Sequence, residues 1–450
     1  MRFLPALALF GAMLQPVALP ATGRGPGVRQ GGNPIVAESL PDSVIPEAAR
    51  IRPGVKFDPT AGTAAWLATV PAEKRARSDA YSEGGYWIRL WNFLMTVAVM
   101  LVVLGLGWSR RLRDWAERRT TRPWLQTFLY YAPFAGLTTL LSFPLTVYTD
   151  FFREHAYGLA TQGFGGWMRD QAVTLALDVV IGGLVVAALY AVVRRLPRSW
   201  SAWGAVVAVG FLAIAGLIAP VFIAPLFNRY TPLSDARIRE PILRMARANG
   251  ISVDRVYVVD ASRQSTRVSA NVSGLLGTER ITLNDNLLRR ASLPEIEAVM
   301  GHEMGHYVQH HAYQGIVFFG VLILGGFALL QYGFARAIER RGARWGVRGI
   351  GDPAGLPLIM LILATYFFVL TPVTNTYTRA NESAADIFGL NAARQPDGFA
   401  LIALKLAEYR KLAPAPLEEF LFFDHPSGRT RIRMAMEWKA EEAAAGVPHP

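Results

Sequence analysis

The stretch from Ser292 to Phe334 reads SLPEIEAVMGHEMGHYVQHHAYQGIVFFGVLILGGFALLQYGF. Its first residues predict a helix start, because Ser292 suits the N-cap, Pro294 the first turn, and Glu295 stands three residues after the cap. Its last part, from about residue 314, is apolar over the roughly 20 residues that a membrane span requires. A polar helix therefore leads directly into a predicted membrane helix.

The composition of the whole chain agrees with a membrane protein. Of its 450 residues, 52% are hydrophobic and 18% are charged, which is too apolar for an ordinary soluble multidomain protein. Six apolar runs are each long enough to span a bilayer. They lie near residues 87–108, 128–148, 172–193, 202–226, 314–334 and 355–373.

The N-terminus resembles a secretory signal peptide or signal anchor, since Arg2 precedes an apolar run that ends in small residues. The residues that follow are rich in Gly, Pro and Ala and predict an exposed, partly ordered lead-in. The predicted organisation is a signal segment (1–21), a lead-in (22–86), N-terminal membrane helices (87–226), a first catalytic part (227–313), a membrane helix pair (314–373) and a second catalytic part (374–450).

The basic residues predict the orientation in the membrane. The net charge of +12 could suggest nucleic-acid binding, but the arginines stand beside apolar runs, which favours membrane topology and no nucleic-acid partner. They cluster in alternate loops, around residues 110–122, 194–198 and 336–348, and such loops stay in the cytoplasm. Residues 227–313 and 374–450 are then predicted to face outward, on the periplasmic side of a bacterial inner membrane.

The motif His302-Glu303-Met304-Gly305-His306 has the spacing of a metal site. Residues four apart lie on one helix face, so both imidazoles can reach one ion while Glu303 reaches a water beside it. The chain has no cysteine, so any metal must be held by His, Asp or Glu. The alternative is a pair of solvated histidines at a membrane interface. His310 and His311 are interpreted as interfacial.

A third ligand is expected from another segment, because a catalytic zinc has three protein ligands and one open position. Glu382 and Asp386, also four apart, follow the last predicted span. Glu382 would complete the site, and Asp386 would orient a ligating imidazole. The alternative is a solvated acidic face at a helix end, but the predicted topology puts both helices on the same side of the membrane.

These segments resemble the integral-membrane zinc metallopeptidases typified by the type 1 CAAX prenyl proteases. The similarity extends from about residue 54 to about 440. Besides the metal segments, it rests on Phe143-Pro144-Leu145, Tyr148, Phe151, Glu154, Gly158, Gln162 and the run from Pro220 to Asn228.

The resemblance implies an all-α integral membrane protein of about six or seven transmembrane helices that form a chamber, with a small α+β zinc metallopeptidase domain of the gluzincin type. It implies one Zn²⁺ ion. It also implies that Val268, Ser269, Ala270 and Asn271 form an edge that aligns an extended peptide. His425 and Arg431 match residues that stabilise charge on the scissile carbonyl.

The sequence departs from the family pattern at Ser427, Gly428 and Thr430, where relatives often have a proline-rich segment and a glutamate. We therefore leave open whether the peptide or protein substrate is lipid-modified. The predicted function is a membrane-embedded zinc metalloendopeptidase that acts near the membrane surface, in contact with lipid, in protein processing or quality control. The alternatives are a helical transporter or channel and a catalytically silent zinc scaffold.

Overall fold

The computed structural model describes residues 40–273 and 279–446. The predicted signal segment, residues 1–21, lies outside the described residues. Helices dominate the described chain. In the first half they are α1 (Pro59–Ala68), α2 (Ala72–Gly105), α3 (Trp108–Arg119), α4 (Pro123–Ala156), α5 (Phe164–Arg195) and α6 (Trp200–Ile218).

The second half alternates short strands with helices and then becomes helical again. Its elements are β1 (Tyr230–Pro232), α7 (Ala236–Ala248), β2 (Val256–Val259), β3 (Ala270–Ser273), β4 (Arg280–Asn284), α8 (Asp285–Arg290), α9 (Leu293–Val308), α10 (His311–Trp345), α11 (Leu356–Val369), α12 (Thr371–Ala393), α13 (Pro396–Leu406), α14 (Pro416–Phe422) and α15 (Gly428–Ala444).

Four of these helices are long and apolar enough to cross a membrane, namely α2, α4, α5 and α10. The pair formed by α11 and α12 qualifies as a fifth span with a bend of 54°, and α6 is apolar but shorter. Each of the six predicted spans thus falls on a helix, although fewer pass as full spans than expected. The predicted fold class, a helical integral membrane protein with a small α+β peptidase-type domain, is confirmed.

The polar domain contains one four-stranded sheet in the order β1-β2-β4-β3. Strands β3 and β4 pair in the antiparallel direction. Helices α7 and α9 cover the sheet, and Ile242, Ile281, Ile296 and Met300 meet in a buried core between them. This core fixes α9 against the sheet.

From residue 40 onward, where the structure describes it, the lead-in contains more helix than the sequence suggested. Helix α1 lies inside it, and its Trp66 is buried against Ile432 and Met436 of α15. Helix α2 begins at Ala72, well before the predicted span, and Tyr86 on it donates a hydrogen bond to Glu418 at 2.8 Å. These partners lie more than 300 residues away in the sequence, so local composition could not reveal them.

Candidate metal centre

Helix α9 presents the two histidines of the motif. Its start is fixed as predicted, because the backbone N–H and the hydroxyl of Ser292 both donate to the Glu295 carboxylate at 2.8 Å. The helix ends at Val308, and His310 then adopts a left-handed conformation with φ of 57° before α10 begins. The helix that carries the motif and the adjoining membrane helix are therefore separated by a short break at Gln309 and His310.

The three predicted ligands converge. The Nε2 atoms of His302 and His306 are 3.1 Å apart, and the Glu382 carboxylate oxygens lie 3.3 Å from the first and 3.4 Å from the second. Two ligand atoms that each bind a tetrahedral ion at about 2.05 Å are separated by about 3.3 Å. The spacing of the three side chains thus fits one ion of this size.

The surroundings of these ligands also favour a cation. Oε2 of Glu382 is buried, and no described group donates a hydrogen bond to it. Burial by itself would lower the pKa of His302, but the Asp386 and Glu382 carboxylates outweigh it and raise this pKa to about 10. A buried site that stabilises positive charge and contains a carboxylate oxygen that accepts no hydrogen bond suits a divalent metal.

The close packing of α9 and α12 brings Glu382 to the histidines. Small residues line this contact, and a Cβ added at Gly389 would lie 2.7 Å from the backbone nitrogen of His302. A Cβ at Gly305 would lie 3.0 Å from Cα of Ala385. Small residues at these positions are therefore required for the backbones to approach closely enough to share a ligand set.

His302 is oriented from behind by Asp386 and Arg431. Nδ1 of His302 is 2.7 Å from Oδ1 of the fully buried Asp386, as the sequence predicted for this carboxylate. Arg431 donates from Nε to Oδ2 of Asp386 at 2.9 Å, and its Nη2 also contacts the carboxylate. The carboxylate thereby keeps Nε2 of His302 free to bind a metal.

Glu303 lies beside the ligands without binding to them. It is half-buried, and among the described residues its carboxylate accepts no hydrogen bond. Burial raises its pKa, while the neighbouring imidazoles of His302 and His306 oppose the rise. A raised pKa suits a carboxylate that must accept a proton and then release it.

His425 approaches the same centre from the loop before α15. Its Nε2 lies 3.2 Å from Oε2 of Glu382, and its Nδ1 is 2.8 Å from Oδ1 of Asp424. His425 and Arg431 therefore both reach the site, but on different sides: His425 faces the ligand Glu382, whereas Arg431 packs against Asp386.

His311 also lies at this site, next to His306, whereas the sequence suggested that it was interfacial. Its imidazole is buried, and its Nδ1 lies 2.9 Å from Nδ1 of His306. If Nε2 of His306 bound a metal, its Nδ1 would carry the proton and would donate a hydrogen bond to Nδ1 of His311. The left-handed turn at His310 turns this side chain inward, and nothing in the local sequence indicates that turn.

We expect replacement of His311 by Phe to weaken metal binding by about 10-fold or more, because His306 loses the acceptor that orients its ring. Replacement of the exposed His310 by Asn, which tolerates the left-handed conformation, should leave affinity unchanged. Competition with a chromophoric chelator measures both affinities. Equal affinities in wild type and His311→Phe would show that His311 has no such role.

The segment predicted to align a peptide lies at the edge of the sheet. Strand β3 pairs with β4 on one side, and among the described residues no strand pairs with its other side. Ala270 and Asn271 are in β3, whereas Val268 and Ser269 precede it. Oδ1 of Asn271 is buried without a described partner.

Side chains of the domain and of the membrane helices fix the residues just before this edge. Asn284 and Asn286 donate to the carbonyl oxygen of Arg267 at 2.7 and 3.0 Å. The Arg267 guanidinium donates to Glu154 of α4 at 2.7 Å, and Tyr81 of α2 donates to the same carboxylate at 2.6 Å. The edge strand is thus tied to two membrane helices.

Comparison with known proteins agrees with both halves of this architecture. Residues 232–439 match the model of peptidase family M48, and residues 63–229 match the model described as CAAX prenyl protease N-terminal, five membrane helices. The two matches are adjacent and together cover most of the chain.

Individual relatives are similar over most of their length. The metalloprotease YhfN of Bacillus subtilis (strain 168) is 29% identical over 402 residues, which are 88% of this chain and 90% of the relative. CAAX prenyl protease 1 of Saccharomyces cerevisiae is 26% identical over 337 residues, 70% of this chain and 73% of the relative. The crystal structure of Ste24p from S. mikatae is similar in fold, with a TM-score of 0.70 at 23% identity, over 85% of this chain and 92% of that one.

Proposed function

Because this chain belongs to peptidase family M48 and carries the membrane-helix domain of the CAAX prenyl proteases, we propose that His302, His306 and Glu382 hold one zinc ion in its active site. The chain is a membrane metalloendopeptidase. The observation that carries the proposal is the convergence of these three side chains, whose ligand atoms lie within 4.8 Å of one another. Two imidazoles and one carboxylate with an open position form a donor set typical of catalytic zinc.

Zinc, when bound, supplies a Lewis acid that activates water and polarises the scissile carbonyl. Residues of the chain carry out the proton transfers and stabilise the developing charge. The Glu303 carboxylate removes a proton from the attacking water and then delivers it to the leaving amine. The raised pKa of Glu303 supports this role, because its protonated form has to persist between the two transfers.

His425 and Arg431 have separate roles in this proposal. His425 lies at the open side of Glu382 and donates a hydrogen bond to the oxygen on which negative charge develops. Arg431 is engaged with Asp386, so it acts on the reaction by keeping Asp386 and His302 in place. The direct contact between Arg431 and the oxyanion, which the family resemblance implied, stays a prediction.

The substrate lies extended along β3 and adds a strand to the sheet. Backbone hydrogen bonds to the edge from Val268 to Asn271 fix its direction without specifying its sequence. Endopeptidase activity on varied sequences is the expected consequence.

The catalytic side faces away from the cytoplasm, and the membrane is the bacterial inner membrane. The arginines in alternate loops support this orientation. A phosphatase fused to residue 450 that is active only after export should be active in cells. A fusion that is active only in the cytoplasm would reverse the orientation.

The decisive test is peptide hydrolysis by the purified full-length chain in detergent micelles. A quenched-fluorescence peptide library should be cleaved, a strong chelator should abolish cleavage, and added zinc should restore it. Paired peptides with and without a farnesylated cysteine would decide whether lipid modification is recognised. A protein that binds zinc but cleaves no peptide would favour the silent scaffold.

A further inference from the structure

A cavity of about 430 Å³ lies at the opposite end of the molecule from the metal centre. Helix α10 begins beside His306 and ends at Trp345 next to the cavity, about 50 Å further along its axis. The wall comes from α3, the first turn of α4, the last turn of α5 and the loop after α10. The lining includes Arg113, Glu117, Gln126, Arg194, Arg348 and Asp352.

Two of the three arginines in the wall are paired with carboxylates, and the third is not. Arg113 pairs with Asp352 at 2.6 Å and with the adjacent Asp114 at 2.7 Å, and Arg348 pairs with Glu117 at 2.6 Å. Arg194 instead donates to two carbonyl oxygens, those of Gly351 and Pro123, each at 3.0 Å. Among the described residues it forms no ion pair, so one guanidinium charge in the wall has no paired carboxylate. It retains N–H groups that could donate to an anion.

Backbone groups add to the positive character of the cavity. Gly349 and Gly351 line it, and in the described part of the chain their N–H groups donate to no acceptor. The N-terminus of α4 begins at Pro123, also in the wall, and contributes the positive end of a long helix dipole. A guanidinium, free N–H groups and a helix N-terminus together favour an oxyanion.

The neighbouring helix α3 places the cavity at a membrane surface. Its exposed positions carry four arginines, Arg110, Arg111, Arg118 and Arg119, while Trp108 and Trp115 are half-buried. A basic helix with tryptophans, directly after a membrane span, lies at the level of phospholipid headgroups. Phosphate is the anion that is abundant there, and a guanidinium fork suits its geometry.

We propose that this cavity binds the phosphate of an anionic phospholipid from the leaflet beside the basic loops, with Arg194 as the main contact. The site is independent of the metal centre and does not take part in the proposed peptide hydrolysis. Its occupancy stabilises the junction of α3, α4, α5 and the loop from Arg348 to Pro353.

The test uses delipidated full-length protein in a neutral detergent, with thermal unfolding as the measurement. Phosphatidylglycerol should raise the unfolding midpoint of the wild type by a few degrees. The increase should be largely lost in Arg194→Gln and kept in Arg195→Gln, which changes the adjacent, exposed arginine outside the cavity. Equal increases in all three proteins would overturn the site.

Two further additions to the wild-type protein, inorganic phosphate and phosphatidylcholine, identify the source of the phosphate from the same unfolding midpoint. An equal increase with inorganic phosphate would overturn the lipid assignment, and an equal increase with phosphatidylcholine would overturn the requirement for an anionic lipid. Gln126→Glu serves as a second variant, because it places a carboxylate in the wall; it also removes the hydrogen bond that Nε2 of Gln126 donates to the carbonyl oxygen of Thr120. In the Gln126→Glu variant, phosphatidylglycerol should no longer raise the unfolding midpoint. Retained metal content would show that each variant is folded.

Discussion

Replacement of Glu303 by Gln is expected to reduce peptide hydrolysis by about 100-fold to 10,000-fold while metal content stays unchanged. The amide has nearly the same shape as the carboxylate but cannot accept the proton of the attacking water. None of the three ligand side chains is altered, and Glu303 accepts no hydrogen bond from the described residues, so the fold should tolerate the change. Turnover and bound metal are measured on the same preparation.

Glu297→Gln is the matched control. Glu297 lies on the same helix, and its carboxylate accepts a hydrogen bond from Gln395 at 3.0 Å, which an amide oxygen can replace. This variant should keep full activity. Turnover by Glu303→Gln at the wild-type rate would exclude Glu303 as the base.

Replacement of Gly389 by Ala should disrupt the metal centre without touching a ligand. The new methyl group would lie 2.7 Å from the backbone nitrogen and 3.0 Å from Cα of His302, and neither atom can move independently of α9. The two helices must separate, which withdraws Glu382 from the histidines. We expect weaker metal binding and a loss of stability of about 1–3 kcal/mol, typical of an overpacked contact.

Gly320→Ala in α10 provides the comparison. A Cβ at that position would meet only the side chain of Val209, at 3.6 Å, which is an ordinary contact. Metal affinity in this variant should equal that of the wild type. If Gly389→Ala also bound metal normally, the close approach of α9 and α12 would not be what sets the ligand geometry.

The sequence was most informative where a local pattern has a local consequence. Ser292 and Glu295 predict the start of α9, and a spacing of four residues places His302 and His306 on one face. Glu382 could be proposed as third ligand because few residue types can complete such a site. The structure brings it to the predicted place.

The sequence was least informative where a partner is distant or a turn is irregular. Trp66 is buried by helix α15, so its burial cannot be inferred from its neighbours in the chain. His311 was misinterpreted because the left-handed residue His310 interrupts what looks like a continuous helical pattern. The contact between Arg431 and the buried Asp386 could not be inferred from the sequence, because only the fold brings these two distant residues together.

The most direct test of the metal centre is the zinc content of the purified full-length chain, with the ion located by anomalous X-ray scattering. We predict one zinc ion per chain, bound by His302, His306 and Glu382, and its loss in a Glu382→Ala variant. A preparation that takes up no divalent metal, or an ion bound elsewhere while these three side chains remain without one, would contradict the proposed site.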